Sequence, residues 1–211
     1  DHDGVDGVPE AVIAGEALQI QVIPGVEIGC GYDFGEQRLE LHILGYYINI
    51  EDQKLKEYLG KLKENRQDRN QRLLKHLQDL GYDLTYEDLI ERPGQTYIGK
   101  PNFARAMKKK EIAPDNMWEI FDQIEKQKRS AYETIEVIRE AGGIAVLAHP
   151  MKLNKLKLDG DEQFWHNLEA VVSDLKKHGL ECQIFITKHE WEGDSLSTSK
   201  IIEHVLVEVV R

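Results

Sequence analysis

Cysteine is scarce in this sequence, and the two present, Cys30 and Cys182, lie far apart with no C-x-x-C spacing. That pattern excludes a disulfide scaffold and a cysteine-built zinc knot, and makes a reducing cytoplasm the simplest setting. Long apolar runs are missing too: no stretch approaches the ~20 residues of a membrane-spanning helix, and no signal-peptide pattern opens the chain. Basic charge is in deficit, with 27 Lys and Arg against 38 Asp and Glu and a formal net charge of −11. A broad nucleic-acid-gripping surface draws its affinity from many Lys and Arg contacts to phosphates, so none is expected here, although a local basic pocket for one or two phosphates is compatible. Internal repeats and low-complexity tracts are absent. What remains is a 211-residue chain, 41% hydrophobic and 31% charged, able to bury one good core with a smaller appended module. It opens Asp1-His2-Asp3 with no Met, as though cut from something longer.

The most informative stretch is 24–46, PGVEIGCGYDFGEQRLELHILGY. In Val26-Glu27-Ile28 the apolar residues point one way and Glu27 the other, and Gly25 and Gly29 leave open space around it. The alternation repeats in Leu39-Glu40-Leu41-His42-Ile43, with Glu40 and His42 opposite the three apolar residues. Glu on one strand and His on the next is a costly arrangement on a buried face unless something pairs with them. A divalent metal is one such partner. A Glu27–His42 ion pair on a wet sheet face is the other.

Before this stretch, 8–18 reads as a helix with Pro9 in its first turn and Val12, Ile13 and Ala17 as its buried face. A short strand follows at 21–23, so that Asp1-His2-Asp3 sits where a preceding strand would end. After it, 51–80 reads as one long helix, apolar at both ends, whose middle (64–72, ENRQDRNQR) is polar all round and faces solvent or a cleft. A further helix begins at Pro101, and the free N–H groups of its first turn, with Lys100 before it and Arg105 one turn in, suit a phosphate. An amphipathic helix with a basic flank explains the same residues. Residues 52–128 are thus helical, between strand-bearing parts.

Ser130 and Glu133 form a capping box for a helix stopped by Gly142-Gly143. The run Ile144-Ala145-Val146-Leu147-Ala148 then has the continuous apolarity of a parallel strand buried on both faces, with His149-Pro150 at its carboxyl end, where ligands sit in α/β sheets. Beyond a helix at 164–175 and a strand at 184–186 lies His189, in Lys188-His189-Glu190.

Taken together, the motifs DHDGV (1–5), PGVEI (24–28), LHILGY (41–46), IGKPNFARAM (98–107) and GGIAVLAHP (142–150) stand in an order that resembles the polymerase and histidinol phosphatase (PHP) family, in its branch with an inserted helical domain. The resemblance implies an α/β fold, a distorted (β/α)7 barrel built from 1–51 and 129–211, incomplete at both ends, with 52–128 as the helical insertion. It implies a site for divalent Mn, Zn or Fe, more than one in a complete protein, with His2, Glu27, His42 and His149 as ligands. Lys100 and Arg105 match the segment that holds substrate phosphate, Arg105 being expected across the cleft from the metal cluster. Asp1, Asp3, Asn102 and His189 are further candidates, Asn102 standing where many relatives have His. The family's His-x-His motif should precede residue 1, and its Gly-Ser-Asp-x-His motif should fall where the chain reads IIEHVLVEVVR (201–211).

The implied activity is hydrolysis of a phosphate ester, of a nucleoside 3′,5′-bisphosphate or the 5′ end of a short RNA, in the cytoplasm and with no membrane partner. An inactive metal-binding domain with a regulatory role is the alternative. A polymerase module is disfavoured, because no polymerase sequence accompanies these residues.

Overall fold

The computed structural model describes residues 2–95, 97–157 and 162–181 with their side chains, and the backbone of 161, 183–186 and 205–208. Asp1 and His189 lie outside the described residues. The fold is mixed α/β. Its centre is a hairpin of two long strands, β1 (Gly25–Phe34) and β2 (Gln37–Tyr46), joined by a two-residue turn in which Gly35 takes φ of 58°. The register sets Glu27 opposite Leu44 and Gly29 opposite His42. Leu39, Leu41 and Ile43 are buried on one face of β2, and Glu40 and His42 point to the other, as their alternation requires.

Strand β3 (Ile144–Leu147) completes the sheet beside β2 and runs antiparallel to it, pairing Val146 with Leu44. The parallel strand expected there is corrected: an apolar run reports burial on both faces, which α5 (Ala131–Glu140) and the adjoining core supply, and carries no information on direction. Between α5 and β3, Gly142 adopts φ of 77°, which a side chain would resist. Ser130 caps α5 by accepting from the Tyr132 N–H, while Glu133 pairs with Arg129 instead of closing a capping box. Two further strands, β4 (Gln183–Ile186) and β5 (Val205–Glu208), form an antiparallel pair.

Helix α1 (Val8–Leu18) lies where the sequence placed it, but its apolar residues face outward: Ile13 is 68% and Leu18 69% exposed, and Val8 and Gly15 are the buried positions. The strand expected at 21–23 is extended chain without ladder partners. Helix α2 (Gln53–Asp79) starts at Asp52, whose side chain accepts from the Leu55 N–H at 2.9 Å. Its first half sends Leu55, Tyr58, Leu59 and Leu62 into the core under the sheet, which α5 and α6 (Asp161–Lys177) also line. Its second half sends Leu73 and Leu77 into a second core with Phe103 and Met107 of α3 (Lys100–Lys109) and Phe121 of α4 (Met117–Asp122). The helix, about 40 Å long at 1.5 Å per residue, therefore spans two apolar clusters. Its polar middle falls between them, and there Arg66, Arg69 and Asn70 are buried. Both settings open to that segment are used: Glu64, Gln67, Asp68, Gln71 and Arg72 face solvent, and Arg66 and Arg69 line a cleft.

Ile28 is fully buried, and Ile28→Ala is expected to cost about 2–5 kcal/mol, whereas Ile13→Ser should change stability by less than about 0.5 kcal/mol; urea midpoints on the two variants check both.

Candidate metal centre and its cleft

Three separate chain segments deliver imidazoles to one carboxylate. His2 is set against β1 by a parallel bridge to Glu27 and by the Asp3 N–H donating to the Glu27 carbonyl at 2.7 Å. His42 comes from β2 across the hairpin, and His149 follows β3, where the Ala148 N–H donates to the His42 carbonyl at 2.8 Å. Glu27 Oε1 lies 2.6 Å from His42 Nδ1 and 3.1 Å from His149 Nε2. The rings of His2 and His42 are 5.0 Å apart and those of His42 and His149 4.8 Å. Donor atoms of His2, Glu27 and His42 all fall within 4.8 Å of one another, close enough to be drawn onto one metal ion.

The donor chemistry fits a divalent ion. Three imidazoles and a carboxylate make a borderline nitrogen–oxygen set suited to Zn, Mn or Fe. His2 Nδ1 is buried with Asp3 Oδ2 3.4 Å away and no closer hydrogen-bond partner among the described residues. A Cβ at Gly29 would sit 3.6 Å from His42 Nε2 and 3.7 Å from His2, filling the space between the two rings. Both alternatives read from the sequence are thus visible, since the Glu27–His42 pair also forms.

Charge on the cluster is finely balanced. Burial pushes the Glu27 carboxyl up, and the hydrogen bonds from His42 and His149 overcome it and hold the group below its ordinary value. The Glu40 carboxylate, then Glu27, raise His42 against the opposing effect of burial. Glu40 itself, beside His42 and paired with Lys128 at 2.5 Å, is lowered to about 2.

Asp3 behaves differently from the other candidates. It is 2% exposed, at φ of 54°, and accepts from Arg66 Nη2 at 2.8 Å, Lys126 Nζ at 2.6 Å and the Gly29 N–H at 2.9 Å. Burial would raise its pKa; the neighbouring His2 and Lys126 outweigh that and hold it far below the carboxylate range. Asp3 positions the segment that carries His2.

A cleft of about 1080 Å³ opens beside the cluster and reaches it at His2 and Glu40. Glu27, His42 and His149 adjoin His2 but do not line the cleft. Eight Lys and Arg against four Asp and Glu form its described walls, the reverse of the chain's overall balance. Lys100 is one of them, with its Nζ on Asp122 at 2.5 Å. Arg105, expected across the cleft from the cluster, is not among them: it lies exposed with Nε on Glu91 at 2.5 Å. Asn102 is buried at the start of α3, accepting from the Gly99 N–H and donating to Glu91 Oε1 at 3.1 Å, which makes it a cap. Arg66, Arg69, Lys126 and Tyr97, all on the cleft wall, were not singled out by sequence reasoning; the polar middle of α2 carried the signal for the two arginines.

A mixed α/β fold with a His/Glu cluster beside a basic cleft is an arrangement suited to metal-dependent cleavage of phosphate esters, and it can be set beside known proteins. No family model matches the chain. The 5′-3′ exoribonuclease Rnm of Salmonella typhimurium is 27% identical over 161 residues, 71% of this chain and 53% of that protein. The phosphoribosyl 1,2-cyclic phosphate 1,2-diphosphodiesterase of Eggerthella lenta is 28% identical over 167 residues, 74% of this chain and 63% of that protein. The chain thus spans little more than half the length of such relatives. Among solved structures, an amidohydrolase from Chromobacterium violaceum with bound sulfate and no metal superposes with a TM-score of 0.67 at 24% identity, covering 85% of this chain and 62% of that one. A candidate metal-dependent phosphoesterase from Bifidobacterium adolescentis gives 0.63 at 19%, covering 97% and 82%. These matches bear out the resemblance to PHP-type phosphoesterases.

Removing the Asp3 charge leaves the buried Arg66 and the half-buried Lys126 without their carboxylate. Asp3→Asn is expected to destabilise the chain by about 3–5 kcal/mol, read from denaturant unfolding. A loss below about 1 kcal/mol would show that water replaces the carboxylate.

Proposed function

We propose that the chain hydrolyses phosphate esters of nucleotide type, a nucleoside 3′,5′-bisphosphate or the 5′ end of a short RNA, with divalent Mn, Zn or Fe held by His2, Glu27, His42 and His149. The observation that carries this reading is the position of the His2, Glu27 and His42 donor group, with His149 bonded to Glu27, at the end of a cation-lined cleft in a chain of net charge −11. The names of the relatives, an exoribonuclease and a cyclic phosphate diphosphodiesterase, support the substrate class. On the same footing we take the sheet as part of a distorted (β/α)7 barrel, with 52–128 as its helical insertion; the second apolar core supports that division. No helix among the described residues is long and apolar enough to cross a membrane. We assign the protein to the cytoplasm on its two widely separated cysteines; Cys30 is a buried thiol, its pKa pushed up to about 12 by burial.

A divalent ion, when bound, supplies charge to the phosphoryl oxygens and acidifies water. The chain's residues do the rest. Glu27 orients His42 and His149 through one oxygen; Glu40 flanks His42 on the far side, 3.9 Å from Nε2. Lys100 is the cleft residue that meets the substrate phosphate, and its present partner Asp122 is exposed and easily exchanged. Arg105, held by Glu91, fixes the loop ahead of α3.

Isothermal titration with Mn²⁺ or Zn²⁺ tests the centre. Glu27→Gln and His149→Ala should each lose at least the roughly 10–100-fold in affinity that removal of an outer-shell partner causes. Unchanged affinity in both variants would sink the assignment. Metal binding without turnover of a nucleoside bisphosphate would instead favour a regulatory domain.

For the substrate, Lys100→Ala should raise KM about tenfold or more, since a hydrogen bond to a charged group contributes about 1.5–3 kcal/mol, while Arg105→Ala leaves metal content unchanged and KM close to that of the parent.

A further inference from the structure

The cations of the cleft fall into two kinds. Most are matched to a carboxylate: Arg66 and Lys126 to Asp3, Lys100 to Asp122, Lys128 to Glu40, Arg38 to Asp33. Arg69 is not. It is 6% exposed, lines the cleft, and its Nε and Nη1 are buried with no hydrogen-bond partner among the described residues. Arg66 sits one turn away on the same face of α2, with its guanidinium 4.2 Å above the Tyr97 ring, and the charged side chains that act on Arg69 are the cations Arg66 and Arg72, beside the Tyr97 phenol. A desolvated guanidinium without a counter-charge costs several kcal/mol and is retained where a ligand supplies the charge. Its fork matches two oxygens of one phosphate group, which a lysine cannot do.

We propose that Arg69 is the anchor of an anion site in the cleft, taking a phosphate dianion other than the one at the metal centre. This deepens the phosphoester reading and rests on it for the ligand's identity: the group is the second phosphate of a nucleoside bisphosphate or RNA end. Free inorganic phosphate shares the chemistry. The site lies on the polar middle of α2, between the two apolar cores, and gives the cleft a specificity element separate from the His/Glu cluster.

The test uses the whole chain freed of metal with EDTA, and thermal unfolding with and without inorganic phosphate, a nucleoside 5′-monophosphate or a nucleoside 3′,5′-bisphosphate. Wild type should gain several degrees in Tm with the bisphosphate. Arg69→Met should unfold at an equal or higher temperature than wild type without anion, having lost an unpaired buried charge, and should lose the gain on adding it. Arg69→Lys should bind the bisphosphate at least about tenfold more weakly, having lost the paired donors. Tighter binding of the bisphosphate than of inorganic phosphate assigns the site to a nucleotide; equal affinities assign it to free phosphate. An anion-induced shift retained in Arg69→Met overturns the proposal, as does a markedly lowered Tm of that variant without anion. Should Arg69→Met fail to fold, unchanged affinity in Arg69→Lys overturns it alone. A parallel Mn²⁺ titration separates the two readings: phosphate binding that depends on Arg69 in a chain that takes no metal keeps the anion site and removes the metal centre.

Discussion

One buried carboxylate holds the site together. Asp3 belongs to the segment that carries His2, and it reaches β1 through the Gly29 N–H, α2 through Arg66, and the segment before α5 through Lys126. Each of these partners belongs to a part of the chain that contributes to the cluster or the cleft. The position of His2 relative to Glu27 is therefore set by a charged network whose members cannot be replaced one at a time without leaving a buried charge unmatched. An apolar anchor at residue 3 could hold the segment down. It could not also neutralise two cations at the cleft wall.

That network explains how an acidic chain keeps a basic cleft. Net charge describes the average field, and the average is negative; the cleft is defined by which cations are desolvated along its wall. Arg66 and Arg69 sit in a helix whose two ends are fixed by separate apolar clusters, so the polar middle has little freedom to swing into water. The geometry of α2 does for the arginines what the hairpin register does for Glu27 and His42: it fixes polar groups that would otherwise seek solvent.

Much of the centre was legible in the sequence because it depends on period-two alternation. Glu27 and His42 stand on the faces their neighbours demand, and His149 follows an apolar run that is indeed a strand. Strand direction was not legible, since β3 pairs antiparallel while its composition speaks only of burial. The face of α1 was misjudged for a related reason: spacing shows which residues share a side of a helix, and tertiary contacts decide whether that side is covered. Arg105 and Lys100 were grouped because both flank the start of α3, yet one turn of helix separates a residue on the cleft from one bound to Glu91. Arg69 was hidden within a polar run, because a sequence shows charge but not the absence of a partner.

Part of the unfavourable geometry gathers around the same place, and part lies elsewhere, at Gln19, Tyr47 and Glu111 with positive φ and at Asn70, His76 and Arg129 with unpaired buried atoms. Asp3 and His149 have positive φ, at 54° and 28°, which costs non-glycine residues on the order of 1–3 kcal/mol each. His2 Nδ1 and two nitrogens of Arg69 are buried without partners. Such costs persist only where surrounding packing holds the residues in place, and here the fully buried Ile28, Leu41 and Ile43 of the hairpin and Leu62 of α2 do so. A fold selected only for stability would relax these positions: a glycine after β3, an apolar residue in place of Arg69, a hydrogen-bond partner for His2. Those at His2 and Arg69 adjoin the cluster and the cleft wall, where a nitrogen without a partner in the protein is what a metal ion or a phosphate draws on.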